Sequence, residues 1–206
     1  SEEFDKGLSN TLNCSNTFNF DNKYSEEKEY LRIIELGVFE SSKEQGDVLE
    51  ELTRSLFSRI DLISSFLRND KDTALGQIDI NLTPINTALF DVWGMVQEYP
   101  TDIIGECKHY KTSKVSRSEI EKTCWRACKG RALSFFIGTG YTQNAIAEIG
   151  YFNRQRDSIF NNSQGVLIVP ITLNMLKIII INDLNFSYFI KWAIQSSRNM
   201  AIANYL

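Results

Sequence analysis

Gly76-Gln77-Ile78-Asp79-Ile80-Asn81-Leu82 and Asp102-Ile103-Ile104-Gly105-Glu106-Cys107-Lys108 are the two stretches on which the architecture turns. The first alternates apolar and polar side chains with the period of two that a half-buried strand imposes, so Asp79 shares a face with Gln77 and Asn81. The second reads as another strand. Its spacing puts Glu106 and Lys108 on one face and Cys107 and His109 on the other. Were the two strands neighbours, alternation alone would let two carboxylates and an ammonium group meet on a common face.

The flanking sequence supplies helices. Ser25-Glu26-Glu27-Lys28-Glu29 opens one that is acidic in its first turn and runs through Leu31, Ile33, Ile34 and Leu36 to a stop near Gly37. A second, expected over residues 42–66, aligns Leu49, Leu52, Thr53, Leu56 and Ile60 as a core stripe. At about 100° per residue Glu51 points away from that stripe, and Glu50 falls on its flank beside Phe57 and Gly46. Asn69-Asp70-Lys71-Asp72 reads as a turn. Residues 82–101, with Phe90, Trp93 and Tyr99, suit either a hairpin excursion or an inserted helix.

Helical periodicity returns over residues 118–131, with Ile120, Cys124, Ala127 and Cys128 on its apolar side. Residues 133–137 read as a strand with Gly138-Thr139-Gly140 as its turn, 142–149 as a short helix, and 165–169 as a buried strand ending at Pro170. Residues 172–181 fit helix or strand, and 186–196 a helix. Strands alternating with helices specify an α/β layer architecture. Residues 1–40 are expected to form an N-terminal extension and helix, the first 24 of them irregular, and 41–206 the main domain.

A chain of 206 residues with 43% hydrophobic content sustains one good core. The longest aliphatic run is residues 178–181, far short of the roughly 20 apolar residues that span a bilayer, so the expectation is a cytoplasmic protein without a membrane partner. Four cysteines, at 14, 107, 124 and 128, are too few and too uneven for a disulfide scaffold. The formal charge is −4, which argues against a nucleic-acid partner until its distribution is examined. Residues 108–131 hold eight basic residues against two acids, a net +6, and the rest of the chain therefore carries −10. Such a stretch can bind DNA from an otherwise acidic body. Lys111, Lys114, Arg117, Lys122 and Arg126 are the candidate phosphate contacts.

Asp79 with Glu106-Cys107-Lys108 carries the chemistry. Phosphodiester hydrolysis needs charge stabilisation at the phosphoryl oxygens, a source of hydroxide and help for the leaving oxygen. Carboxylates on adjacent strands can hold Mg²⁺, a hard ion that prefers oxygen ligands, and a lysine on the same face can orient water and oppose developing negative charge. In this respect Gly46-Asp47-Val48-Leu49-Glu50-Glu51-Leu52, Gly76-Gln77-Ile78-Asp79 and Gly105-Glu106-Cys107-Lys108-His109-Tyr110 resemble the successive motifs of the PD-(D/E)xK nucleases, most nearly the Mrr-like restriction endonucleases. The likeness continues through residues 132–140 and Tyr141-Thr142-Gln143-Asn144-Ala145, and covers roughly residues 44–170.

The resemblance implies a restriction-endonuclease-like core, a central mixed β-sheet flanked by helices. It implies Asp79 and Glu106 as ligands of Mg²⁺ or Mn²⁺, Glu50 as a further carboxylate near the metal, and Lys108 as the catalytic lysine. The activity it implies is endonucleolytic cleavage of double-stranded DNA in defence against foreign DNA, as the effector part of a larger sensor protein. Cutting both strands favours a homodimer. This sequence departs from the pattern in its longer Asp79-to-Glu106 interval and in having Glu106 where a glutamine often precedes the lysine. Two alternatives stand beside this reading: a nucleic-acid-binding or assembly module that does not cut, and a nuclease for RNA or branched DNA such as a junction resolvase.

Other signals carry less. Cys107, His109, Cys124 and Cys128 admit a zinc site, but no CxxC pair is present and two of them lie on an apolar helix stripe. Trp125 and Trp192 are expected to be packing residues, and Arg154 and Arg156 could extend a phosphate-binding surface.

Overall fold

A computed structural model of the chain describes residues 23–70, 78–95, 100–159 and 166–206, with side chains for all of these but 64–70 and 156–159. Residues 1–22 of the expected irregular lead-in, Cys14 among them, Gly76, Gln77, Tyr99, Gly165 and the Arg156 side chain thus lie outside the described residues, as do Lys71 and Asp72 of the expected turn.

Helix α1 (Ser25–Leu36) ends at Gly37, whose left-handed φ of 63° lets its N–H close on the Ile33 carbonyl. Helix α2 (Ser42–Ser58) starts at Ser41, whose side chain accepts from the Glu44 N–H. Strand β1 (Ile63–Asp70) follows, then β2 (Ile78–Pro84), the short helix α3 (Ala88–Val92) and β3 (Asp102–Lys108). Helix α4 (Arg117–Gly130), β4 (Ala132–Gly138), α5 (Gln143–Ile159), β5 (Leu167–Thr172), α6 (Leu173–Ile181), α7 (Phe186–Arg198) and a 3-10 turn (Ala201–Tyr205) complete the chain. Among the described residues no helix is long and apolar enough to cross a membrane.

The five strands form one mixed sheet in sequence order. Strands β1, β2 and β3 pair antiparallel, whereas β3, β4 and β5 run parallel. The chain is therefore α/β, with helices over both faces. On one face Leu49, Leu52, Leu56, Ile103, Leu133, Phe135, Ile137, Ile179 and Phe189 belong to the main core. On the other, Ile120, Ala127, Phe136, Ala145 and Ile149 form a second core beneath α4 and α5.

Three expectations are corrected. The second helix stops at Ser58 and residues 63–66 belong to β1. Helical spacing is satisfied as far as Ile60, but the strand beyond it covers the outer edge of β2, whose backbone would otherwise lack partners. Asn69 and Asp70 lie in that strand, where a turn was expected. Pro170 sits inside β5, opposite Phe136, where a strand end was expected; β5 has a single neighbour in the sheet, so a residue without an N–H is tolerated. Between β2 and β3 the inserted-helix alternative holds: α3 and the residues after it sink Leu89, Phe90, Trp93 and Met95 into the main core.

Helix α1 shares that core, contributing Tyr24 from its cap, Leu31 and Ile34. Glu27, fully buried on α1, accepts from Ser55 Oγ at 2.6 Å and from Arg59 Nη2 at 2.8 Å, and Arg59 Nε also donates to it. Removing the cation from a buried carboxylate leaves an uncompensated charge, a change that costs about 3 kcal/mol or more. Arg59→Ala is expected to destabilise the fold on that scale in chemical denaturation, and a loss below about 1 kcal/mol would reduce the contact to an ordinary surface pair.

Candidate functional site

The site forms at the end of the described ladder between β2 and β3. Ile80 pairs with Gly105, and a Cβ at Gly105 would stand 3.1 Å from that of Ile80, so a residue with no side chain suits the position. The described ladder ends at this pair. Beyond it, one residue along β2 and two along β3, the carboxylate of Asp79 takes over: its Oδ2 accepts the Cys107 N–H at 2.8 Å. Lys108 Nζ lies 2.6 Å from Glu106 Oε1 and 3.8 Å from Asp79 Oδ2. Asp79, Glu106 and Lys108 are thereby brought together, and Cys107 turns to the opposite face, where its Sγ meets Thr53 Oγ1 of α2 at 3.7 Å.

Charge in the cluster is balanced by a residue from a third element. Arg126 of α4 reaches down to the second oxygen of Glu106 at 2.6 Å, so two cations face two carboxylates. Helix α4 is held in place by Ser116, whose backbone N–H donates to Glu119 Oε2 at 2.8 Å, and Glu119 in turn accepts from the hydroxyl of Tyr110. Burial, and after it the adjacent Glu106 carboxylate, pushes the Asp79 carboxyl up to about 6; the Cys107 N–H and Lys108 oppose this incompletely, and Glu50 adds to it. For Lys108 burial favours the neutral amine, but its attraction and hydrogen bond to the accepting Glu106 carboxylate, with Asp79 behind, outweigh it and raise its pKa. The lysine is a committed ammonium group at neutral pH.

Glu50 is buried on α2, which packs on the Cys107 side of the sheet, and it reaches Asp79 as a neighbouring charge. Among the described residues no three His, Cys, Asp or Glu side chains converge closely enough to hold a metal ion, so Glu50 is not gathered with Asp79 and Glu106 into a three-carboxylate cage. Two carboxylates on one face remain. That donor set fits Mg²⁺, which binds through one or two carboxylates and keeps several waters. A zinc site is not assembled: Cys107 belongs to the main core and Cys124 to the second core, on opposite sides of the sheet. His109 Nδ1 donates to the Gln45 carbonyl at 3.0 Å, and burial raises the Cys107 thiol well above its ordinary value.

The candidate phosphate contacts divide. Lys114 and Lys122 are exposed. Lys111 donates to the Gly37 carbonyl at 3.0 Å, and Arg117 is held by Glu121 at 2.9 Å and Glu148 at 3.0 Å. Arg126 turns from the expected open surface to Glu106. Of the two tryptophans expected to pack, Trp192 stacks on Phe189, but Trp125 is 57% exposed. Arg154 is exposed. Sequence reading missed Ser134, fully buried on β4, whose Oγ has no partner among the described residues and lines a water-sized cavity with Glu106, Thr123 and Arg126. A serine amid Leu133, Phe135 and Phe136 was the available signal.

No protein-family model matches the chain, nor does any curated protein or solved structure.

Two outcomes follow from the electrostatics. A carboxyl whose folded pKa exceeds its unfolded value, about 3.9, binds its proton more tightly when folded; its contribution is therefore most favourable at acid pH and is lost as pH rises through about 6. Asp79→Asn, which keeps an oxygen for the Cys107 N–H, is expected to stabilise the metal-free protein at pH 7.5 by on the order of 2 kcal/mol, with the gain vanishing near pH 4. Thermal unfolding in chelator across that range checks it, and an Asn variant no more stable than wild type at pH 7.5 refutes it. Ser134→Ala removes a buried hydroxyl without a protein partner and is expected to leave stability unchanged or higher; a loss above about 1 kcal/mol would mean that the hydroxyl is satisfied.

Proposed function

We propose that this chain is a metal-dependent endonuclease hydrolysing DNA phosphodiester bonds, with the restriction-endonuclease-like core that its motifs resemble. The observation that carries the reading is the convergence of Asp79, Glu106 and Lys108 on one face of adjacent strands, with Lys108 within 3.8 Å of both carboxylates. The mixed sheet with helices on both faces and the net +6 of residues 108–131 support it.

Asp79 and Glu106 would hold Mg²⁺ or Mn²⁺, which supplies Lewis-acid stabilisation of charge on the phosphoryl oxygens. Lys108, cationic and hydrogen-bonded to Glu106, orients the attacking water and opposes the negative charge that grows during displacement. Arg126 fixes the Glu106 carboxylate from the other side, so that its remaining lone pairs point in a constant direction. Glu50 tunes Asp79 by its charge. A role in defence against foreign DNA comes from the sequence resemblance alone.

One observation favours a non-cleaving binding module: both Glu106 oxygens are already engaged, one by Lys108 and the other by Arg126. Calorimetric titration with Mg²⁺ or Mn²⁺ separates the two, since the nuclease reading requires binding that Asp79→Ala or Glu106→Ala removes. Plasmid DNA, single strands, RNA and four-way junctions are to be incubated with the protein with and without metal. Cleavage of DNA is expected only with metal. Glu106→Ala and Lys108→Ala are expected to lower it by roughly 100-fold or more while thermal unfolding stays cooperative. Wild-type-like cleavage by either variant would sink the assignment.

A further inference from the structure

Helix α4 buries Ile120, Thr123, Cys124 and Ala127 and turns the other way a stripe formed by Ser118, Glu121, Lys122, Trp125 and Lys129, spaced as one helix face requires. All five are exposed. A lone exposed apolar residue needs no explanation. Trp125, however, walls a concavity of about 520 Å³ that it shares with Ser118, Glu121, Lys122 and Arg126, a volume within the roughly 300–1,000 Å³ of small-ligand clefts. Lys129 lies one turn toward the helix C-terminus with its ammonium 4.7 Å from the ring centroid, whereas the concavity extends from the ring toward the N-terminus. Glu121, the acid in the lining, is held by Arg117 at 2.9 Å, and Arg126 by Glu106 at 2.6 Å, which leaves Lys122 as the exposed cation that sets the sign of the lining. Arg126 also ties this face to the carboxylate cluster, since this lining residue rests its guanidinium on Glu106 at 2.6 Å.

We infer that the α4 concavity seats an unpaired base of a single-stranded nucleic-acid segment, stacked on Trp125, with neighbouring phosphates at Lys122 and Lys129. The inference rests on the nuclease reading and sharpens it by naming the substrate class: a strand with accessible bases beside the bond to be cut, in preference to uniform duplex. Every nucleobase offers a π-face to an aromatic ring, and interleaved cations neutralise the backbone on either side. A base held in a duplex has both faces covered by its neighbours and cannot make this contact until it is unstacked.

The test is a binding measurement in chelator, so that it reads recognition without cleavage. Fluorescein-labelled 20-nucleotide DNA, its RNA counterpart and the matching DNA duplex are titrated with wild type, Trp125→Ala, Trp125→Phe and Lys122→Glu. Single strands are expected to bind more tightly than duplex and to quench tryptophan emission, because Trp93 is fully buried and Trp192 is covered on one side by Phe189. Trp125→Ala is expected to weaken single-strand binding by roughly ten-fold with duplex affinity held within two-fold, and Trp125→Phe to retain most affinity while losing the quench. Lys122→Glu is expected to weaken the single strand and flatten its salt dependence. The DNA and RNA arms tell which sugar the site accepts. Equal losses for strand and duplex, unaltered binding by Trp125→Ala, no binding by wild type, or self-association that Trp125→Ala abolishes without touching nucleic-acid affinity would each overturn the inference. Failure of the nuclease reading shows separately, as metal-dependent cleavage that survives Glu106→Ala.

Discussion

The described pairing of β2 with β3 ends where Ile80 faces Gly105, and just past that point the Asp79 carboxylate replaces a backbone acceptor for the Cys107 N–H at 2.8 Å. The remainder of the site depends on this substitution. A carboxylate fixed by a main-chain donor cannot swing to solvent, so the Glu106 carboxylate on the neighbouring strand must share its field. Lys108, two residues from Glu106 on the same strand, is the nearest cation able to offset both. Glycine at 105 has the same origin, because a larger residue would hold the strands apart and loosen the hydrogen bond that anchors Asp79.

Balance within the cluster is incomplete. Lys108 and Arg126 neutralise Glu106 from two directions, yet Asp79 is left with a raised pKa under its own burial and the charges of Glu106 and Glu50. Excess negative potential at a buried oxygen-rich point is unfavourable for the fold and favourable for a hard cation, which is how stability and function come to oppose each other at such sites. The parallel half of the sheet supports the arrangement: β3 is flanked on its other side by β4, and α4 between them in sequence supplies Arg126 from above the sheet.

The surface beyond the cluster has two parts. Arg117 and Lys111, which sequence alone presents as open cations, are engaged by Glu121 with Glu148 and by the Gly37 carbonyl, so the net charge of residues 108–131 overstates the cations facing solvent. Lys122 and Lys129 lie on the outer face of α4 with Trp125 between them, the Lys129 ammonium 4.7 Å from the centre of its ring. An aromatic ring set among cations and joined through Arg126 to Glu106 is a different surface from the uniform basic patch that composition suggests.

Alternation and periodicity were sufficient to read the α/β class, the common face of Glu106 and Lys108 and the core stripe of α2, because each depends only on the repeat of a strand or helix. The boundary between α2 and β1 was not legible: local spacing fits a helix through Ile60, and what ends it is the need of β2 for an outer partner. Nor could the sequence place Arg126 on Glu106, separated by twenty residues, or show that Ser134 looks into the same small cavity. Helical geometry puts Glu50 on the flank of the α2 stripe, where it is buried, but could not say that its helix packs on the Cys107 side of the sheet. By itself the sequence determined which side chains share a face, since that follows from bond geometry along one segment. The tertiary structure alone decided which charges meet and which of them are satisfied, since Coulomb interactions and desolvation act through space between elements that the chain order leaves unpaired.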